Sequence, residues 1–183
     1  MFRRRMMRPR RRGFSPAPHP MLQRANELMA IEDYPGAARA FEELAQAAGD
    51  RNGAVVPYLY MQAGMARTLA GQVPAGMVHI KQALALFAAR GEWLKFQRNR
   101  RRVIEQLNNL GLNNEIKTLE TFLLEEFPAE LEDSPDIFEQ VNQASVKLPT
   151  KCPGCGAPLR SDEVEWVDSN TAECPYCGTI ARS

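Results

Sequence analysis

The chain has only two histidines, His19 and His79, and only four cysteines in 183 residues. No stretch approaches the ~18–20 consecutive apolar residues that a membrane-spanning helix needs. The N-terminus is basic but lacks the apolar run of ~7–15 residues that marks a secretory signal. No glycine-rich phosphate loop is present, and no nucleophile–base pair stands out. These absences argue against an enzyme and against a secreted or membrane-spanning protein. They favour a reducing, cytoplasmic setting, where paired cysteines read as metal ligands rather than disulfides. A hydrophobic content of 44% is enough for a packed core, and the length suits one ordinary domain or a medium domain plus a small one.

Acidic residues are missing from one place in particular. Positions 1–12 hold seven arginines (Arg3, Arg4, Arg5, Arg8, Arg10, Arg11, Arg12) and no acid, so the rest of the chain is acidic on balance. Alternating prolines follow to Pro20, so residues 1–20 read as a disordered tail. Such a tail either tethers the protein to nucleic acid or to an anionic membrane surface, or is a solvated segment with no dedicated ligand.

All four cysteines lie close to the C-terminal end, as Cys152-Pro153-Gly154-Cys155-Gly156 and Cys174-Pro175-Tyr176-Cys177-Gly178. Two Cys-x-x-Cys pairs separated by about 15–20 residues have the spacing of a four-cysteine zinc site. Each pair sits on a tight turn that aims both sulfurs at one point, and the following glycine lets the turn close with φ > 0. One Zn²⁺ is expected, with iron as the alternative for a tetrahedral sulfur site. Four thiolates close the coordination sphere, so the ion is structural and not catalytic.

Between Met21 and Phe127 apolar residues recur at three- and four-residue intervals, and no alternating strand pattern appears. Asp33-Tyr34-Pro35-Gly36-Ala37 followed by Phe41 is echoed by Gln72-Val73-Pro74-Ala75-Gly76 followed by Ile80, with Pro35 and Pro74 in equivalent places. A third copy begins at Leu112-Asn113-Asn114, with Asn113 expected as the helix N-cap. Three antiparallel hairpins follow, at about 21–48, 55–89 and 92–127. Small residues (Ala25, Ala37, Gly64, Gly76, Ala83) permit close helix approach and Phe41 and Ile80 fill the gap. This pattern over residues 20–127 resembles a tetratricopeptide repeat. In that family the inner surface binds extended peptides. The resemblance places Tyr58, Met61, Met65 and Thr68 there, joined by Arg98, Arg101, Glu105 and Asn108 of the third hairpin. Methionines at helical spacing are, however, more often core than binding surface.

The helix around Glu92–Leu110 has an apolar stripe of Trp93, Phe96, Val103, Leu107 and Leu110. Its basic face of Lys95, Arg98, Arg100, Arg101 and Arg102 either meets nucleic acid or is neutralised by the acidic run from Glu120 to Asp133. Residues 128–149 read as a linker in which Ser134-Pro135-Asp136 starts a short helix that caps the stack.

From Thr150 the chain is too short for a core of its own. Glu163–Val167 alternates as a strand does, Asp168-Ser169-Asn170 turns, and Thr171–Glu173 and Thr179–Ala181 supply two more strands. Two Cys-Pro-x-Cys-Gly knuckles flanking short antiparallel strands resemble a zinc ribbon, over residues 150–183. Its charge is acidic, with Lys151, Arg160 and Arg182 against Asp162, Glu163, Glu165, Asp168 and Glu173, which argues against a direct grip on phosphates. The fold expected is therefore mainly α, a stack of helical hairpins followed by a small β zinc ribbon. The function expected is a non-enzymatic adaptor that holds a protein partner, the alternative being a nucleic-acid-associated protein that uses its arginine tail.

Overall fold

The computed structural model of the protein describes residues 20–49, 53–128, 148–161, 164–168 and 170–182. The arginine tail and the helix expected from Ser134 lie outside these residues. Among the described residues six helices come first: α1 (Pro20–Ala30), α2 (Tyr34–Gly49), α3 (Val56–Leu69), α4 (Val73–Ala89), α5 (Trp93–Asn109) and α6 (Asn113–Glu126). A single 3₁₀ turn, Gly53–Val55, leads into α3. Three short strands follow, β1 (Glu165–Asp168), β2 (Thr171–Glu173) and β3 (Ile180–Arg182). Each helix packs on the next, and α6 also reaches α4. Among the described residues no helix is long and apolar enough to cross a membrane.

Four of the helix ends are built in one way. At each, a residue in the left-handed region closes the helix: Glu32 (φ 63°), Gly71 (77°), Gly91 (67°) and Gly111 (72°). The next amide then reaches back five residues, as Asp33 to the Leu28 carbonyl (2.9 Å), Gln72 to Arg67 (2.9 Å), Glu92 to Phe87 (3.0 Å) and Leu112 to Leu107 (2.9 Å). The closing residue itself bonds three residues back, which makes each turn a Schellman motif. Glycine occupies this position without a Cβ penalty; Glu32 is the exception among the four. Asp33 then caps α2, its Oδ1 accepting the Gly36 amide at 3.0 Å. Asn113 does not act as the cap expected of it. The Schellman turn assigns the cap position to Leu112, which has no side-chain cap bond, and Asn113 becomes the first helical residue.

The tightest crossing joins α3 to α4 at two glycines. A Cβ at Gly64 would stand 2.9 Å from the Gly76 carbonyl oxygen, and one at Gly76 would stand 2.7 Å from that of Gly64. The small residues at 64 and 76 thus let the two backbones touch, and Ile80 fills the space beside them, fully buried. A charged cluster ties three helices together on a half-buried face. Arg67 of α3 donates through Nε and Nη2 to Glu42 of α2 (2.8 and 2.7 Å), and His79 Nε2 of α4 meets the same carboxylate at 2.9 Å. Two hydrogen bonds in parallel give this Arg–carboxylate pair its direction.

The helices bury two apolar clusters on opposite sides of α3. One gathers Met61, Met65, Ile80, Leu84, Phe87, Phe96, Val103, Leu107, Leu119 and Leu123 from α3 to α6. The other joins Leu22, Ala25, Phe41 and Leu59 to the C-terminal segment. Within the α5 stripe Phe96, Val103 and Leu107 are buried, but Trp93 and Leu110 stay exposed because they lie at the two ends of the helix, beyond the facing residues. The strands form one antiparallel sheet in the order β1-β2-β3, with Trp166 opposite Ala172 and Ala172 opposite Ala181. A register irregularity falls between Trp166 and Asp168.

Candidate metal centre

The four cysteines are carried on two turns of the same construction. In the first, the Gly156 amide bonds the Cys152 carbonyl (2.9 Å) and the Cys152 amide bonds Ala157 (2.8 Å). In the second, Gly178 bonds Cys174 (2.9 Å) and Cys174 bonds Thr179 (2.9 Å). Gly156 and Gly178 have φ of 74° and 71°, so the glycine after each pair does take the left-handed conformation its turn requires. An amide inside each turn points at the first sulfur: Gly154 N–H at Cys152 Sγ (3.3 Å) and Tyr176 N–H at Cys174 Sγ (3.4 Å). Oriented amides of this kind favour a thiolate over a thiol.

The two turns bring their sulfurs together. Cys152 Sγ is 3.6 Å from Cys177 Sγ, Cys155 Sγ is 3.8 Å from Cys174 Sγ, and all four lie within 4.8 Å of one another. A disulfide would require about 2.05 Å. Metal–sulfur bonds of about 2.3 Å arranged tetrahedrally give an edge of about 3.8 Å between sulfurs. The donor set therefore fits one tetrahedral ion. A cluster of several metal atoms would spread the four sulfurs further apart. All four cysteines are buried, which keeps water from competing for the site.

Four thiols so close together do not ionise independently. Hydrogen bonds from Cys155, then from Cys174 and Cys177, hold Cys152 far below the usual thiol range. Cys155 is pushed far above it, chiefly by its bond to Cys152 and then by those to Cys174 and Cys177, with burial adding to the effect. The cause is one of charge: a first thiolate is stabilised by its neighbours' protons, and each further one is opposed by the charge already there. A cation at the centre removes that opposition and lets all four ionise.

The cysteine module sits against the helices. Asn26 Nδ2 of α1 donates to the Cys155 carbonyl at 3.0 Å. The Tyr58 hydroxyl of α3 donates to Glu173 Oε1 at 2.5 Å, and Arg98 Nη1 of α5 lies 3.4 Å from Glu173 Oε2. Arg102 Nη1 donates to the Pro175 carbonyl at 2.8 Å while its guanidinium lies 5.1 Å from the centre of the Tyr176 ring. Glu173, 9% exposed, is an acid next to Cys174 of the sulfur cluster and buried among these partners. The cysteines, Leu159, Val164, Ala172 and Ala181 share their apolar cluster with α1, α2 and α3.

Of the residues expected on the inner helical surface, Tyr58, Met61 and Met65 are buried. Tyr58 and Arg98 both contact Glu173. Arg101 is exposed and lines an open groove between α5 and α6. Arg98 thus pairs with an acid of the cysteine module, Glu173. Sequence reasoning named neither Glu173 nor Asn26 as a site residue, and it treated Arg102 only as part of a basic face. The available signal was charge complementarity, since the module is acidic and α5 is basic. No protein family, curated protein or solved structure matches the chain.

Proposed function

We propose that the protein is a non-enzymatic zinc-binding adaptor, in which a stack of tetratricopeptide-like hairpins holds a protein partner and a zinc ribbon braces the stack. The observation that carries this reading is the set of four buried sulfurs within 4.8 Å of one another, borne on two turns that are docked on the helices. Four thiolates complete a tetrahedral ion and leave no position for water or substrate, the mark of a structural site. Zinc suits such a role because it has no redox chemistry to protect against. The repeat reading is supported by the recurrence of one helix-closing turn at Gly71, Gly91 and Gly111, evenly spaced along the chain.

The partner surface we assign is the groove between α5 and α6. It measures about 840 Å³ and is lined by Arg101, Ile104, Glu105, Ile116, Lys117 and Glu120 among others. Two isoleucines provide apolar footing and the flanking charges of both signs would set the register of a bound segment.

The test is a metal analysis of reduced, full-length protein, paired with affinity purification of a tagged chain. One zinc per chain is expected, together with a protein partner that is lost on Arg101→Glu plus Ile116→Lys. Protein that carries no metal, or iron, would overturn the zinc reading. Recovery of the same proteins by wild type and double variant would overturn the partner surface.

A further inference from the structure

The contacts between helices and module are concentrated beside the metal ligands. Asn26 holds the carbonyl of Cys155 itself. Tyr58 and Arg98 hold Glu173, the neighbour of Cys174. Arg102 holds the carbonyl of Pro175, on the other side of Cys174. Gly178, which follows Cys177, lies against the Tyr58 ring, where a Cβ would come within 2.6 Å. Three of the four cysteines therefore have an immediate neighbour, or their own backbone, pinned to α1, α3 or α5.

We infer that the metal is a latch between the two parts of the protein, and that Tyr58, Arg98 and Arg102 are positioning residues that set its affinity. The inference rests on the zinc reading above. With the ion bound, the two turns have one geometry, and that geometry presents the Glu173 carboxylate and the Cys155 and Pro175 carbonyls to waiting donors. The helical donors restrict the turns to the same geometry before the ion arrives. Such coupling is reciprocal: whatever strengthens docking strengthens metal binding, and loss of the metal weakens docking by the same factor. A carboxylate as buried as Glu173 is tolerated only while its partners hold it. When the ion leaves and the turns loosen, Glu173 gains more from water than from a strained docked position. Its departure uncovers Tyr58, Arg98 and Arg102, together with Lys95 across a small cavity of about 40 Å³ that these residues share with Glu173. The metal-free protein thus presents a basic and aromatic surface that the loaded protein hides.

Zinc affinity of the full chain, measured by competition with a chromophoric chelator under reducing conditions, tests this. Tyr58→Phe and Arg98→Gln each weaken binding about 10-fold, the lower end of what outer-shell partners contribute. Arg98→Glu weakens it further, and adding Glu173→Arg to that variant restores most of the loss, because the ion pair is rebuilt in reverse. Leu119→Ala, in the core of α6, lowers the melting temperature but leaves zinc affinity within about 2-fold, as expected for sites that share no partner. Hydrogen exchange of the wild type completes the test: removing zinc speeds exchange around residues 95–102 and leaves α6 unchanged. Wild-type affinity in both Tyr58→Phe and Arg98→Gln would overturn the latch, as would an equal loss in Leu119→Ala. A chain that binds no zinc fails the proposed function itself. One that binds zinc indifferently to Tyr58 and Arg98 fails only the latch.

Discussion

The Tyr58 hydroxyl donates a hydrogen bond to Glu173 Oε1, joining the first turn of α3 to the end of β2 across 115 positions of sequence. Tyr58 is itself fixed from the other side by an edge-on contact with Phe87, ring centres 5.0 Å apart and planes at 83°. The phenol therefore connects the apolar cluster of α3 to α6 to the cysteine module. Removing only its oxygen leaves the ring packed and takes from a buried carboxylate one of its partners. Tyr58→Phe should destabilise the metal-loaded protein by about 1.5–3 kcal/mol, the range for a hydrogen bond to a charged group. Urea unfolding of the two loaded proteins measures it, and a difference below about 0.5 kcal/mol would mean that water replaces the phenol without cost.

Removing the metal should affect the helices as well as the sheet. Sulfurs, strands and helices share one apolar cluster, in which Leu22, Ala25 and Leu59 lie with the four cysteines. The other cluster contains no cysteine. An ion that binds only the folded form stabilises it in proportion to RT ln(1 + [M]/Kd), so stripping it removes that contribution. Chelated protein and Cys152→Ser should keep most of their helical circular dichroism at room temperature, held by the cluster that contains no cysteine. Both should melt at a lower temperature than loaded wild type. A helical melt that ignores the metal would show that docking adds nothing to the helices.

The two ends of the chain differ in how much the sequence disclosed. The clustering of the four cysteines was legible almost completely, because Cys-x-x-Cys-Gly is a local device whose turn, glycine and sulfurs all lie within five residues. Helix boundaries were legible too, since at Gly71, Gly91 and Gly111 each helix closes by bonds spanning only three and five positions. The surroundings of Tyr58 and Arg98 were not. Helical periodicity says which face of α3 or α5 is apolar, but it does not say whether that face meets a partner, a neighbouring helix or a segment far along the chain. Glu173 could be recognised as their ligand only once the fold had carried β2 to α3 and α5. Asn113 was misjudged for a local reason, a one-residue shift imposed by the Schellman turn at Gly111.

The Glu42–Arg67–His79 cluster predicts a pH dependence of known sign. Hydrogen bonds from Arg67 lower the Glu42 carboxyl below its ordinary value of 4.5, against an opposing effect of burial, with the Arg67 charge and then His79 adding to the lowering. A carboxylate with a lowered folded pKa contributes stability above its unfolded value, and that contribution is lost as pH falls through the folded one. Glu42→Gln should therefore be less stable than wild type at pH 7. The gap should hold above the unfolded glutamate value of about 4.3 and narrow progressively as pH falls below it. Stability curves from urea titrations at several pH values would reveal it. A gap that persists unchanged at pH 3 would assign the effect of the substitution to packing and not to charge.

Gly178 and Gly111 separate the strain of a left-handed residue from the contact between module and helices. Both have positive φ, 71° and 72°. Around Gly111 nothing lies within 4 Å of where a Cβ would stand, whereas at Gly178 that Cβ would meet Tyr58 ring atoms at 2.6 Å. Gly111→Ala should cost only the backbone penalty of about 1–2 kcal/mol. Gly178→Ala should incur that penalty and a further 1–3 kcal/mol, roughly, for overpacking against a ring that cannot move. The ring is held by Phe87 on one side and Glu173 on the other, so the turn bearing Cys177 must yield instead. Gly178→Ala should consequently weaken metal binding as well as stability, while Gly111→Ala weakens stability alone. Trimming the ring in the double variant Gly178→Ala, Tyr58→Ala should relieve the clash, leaving it less harmful than the two separate losses combined. Strict additivity of those losses would mean that Gly178 and Tyr58 do not touch in solution.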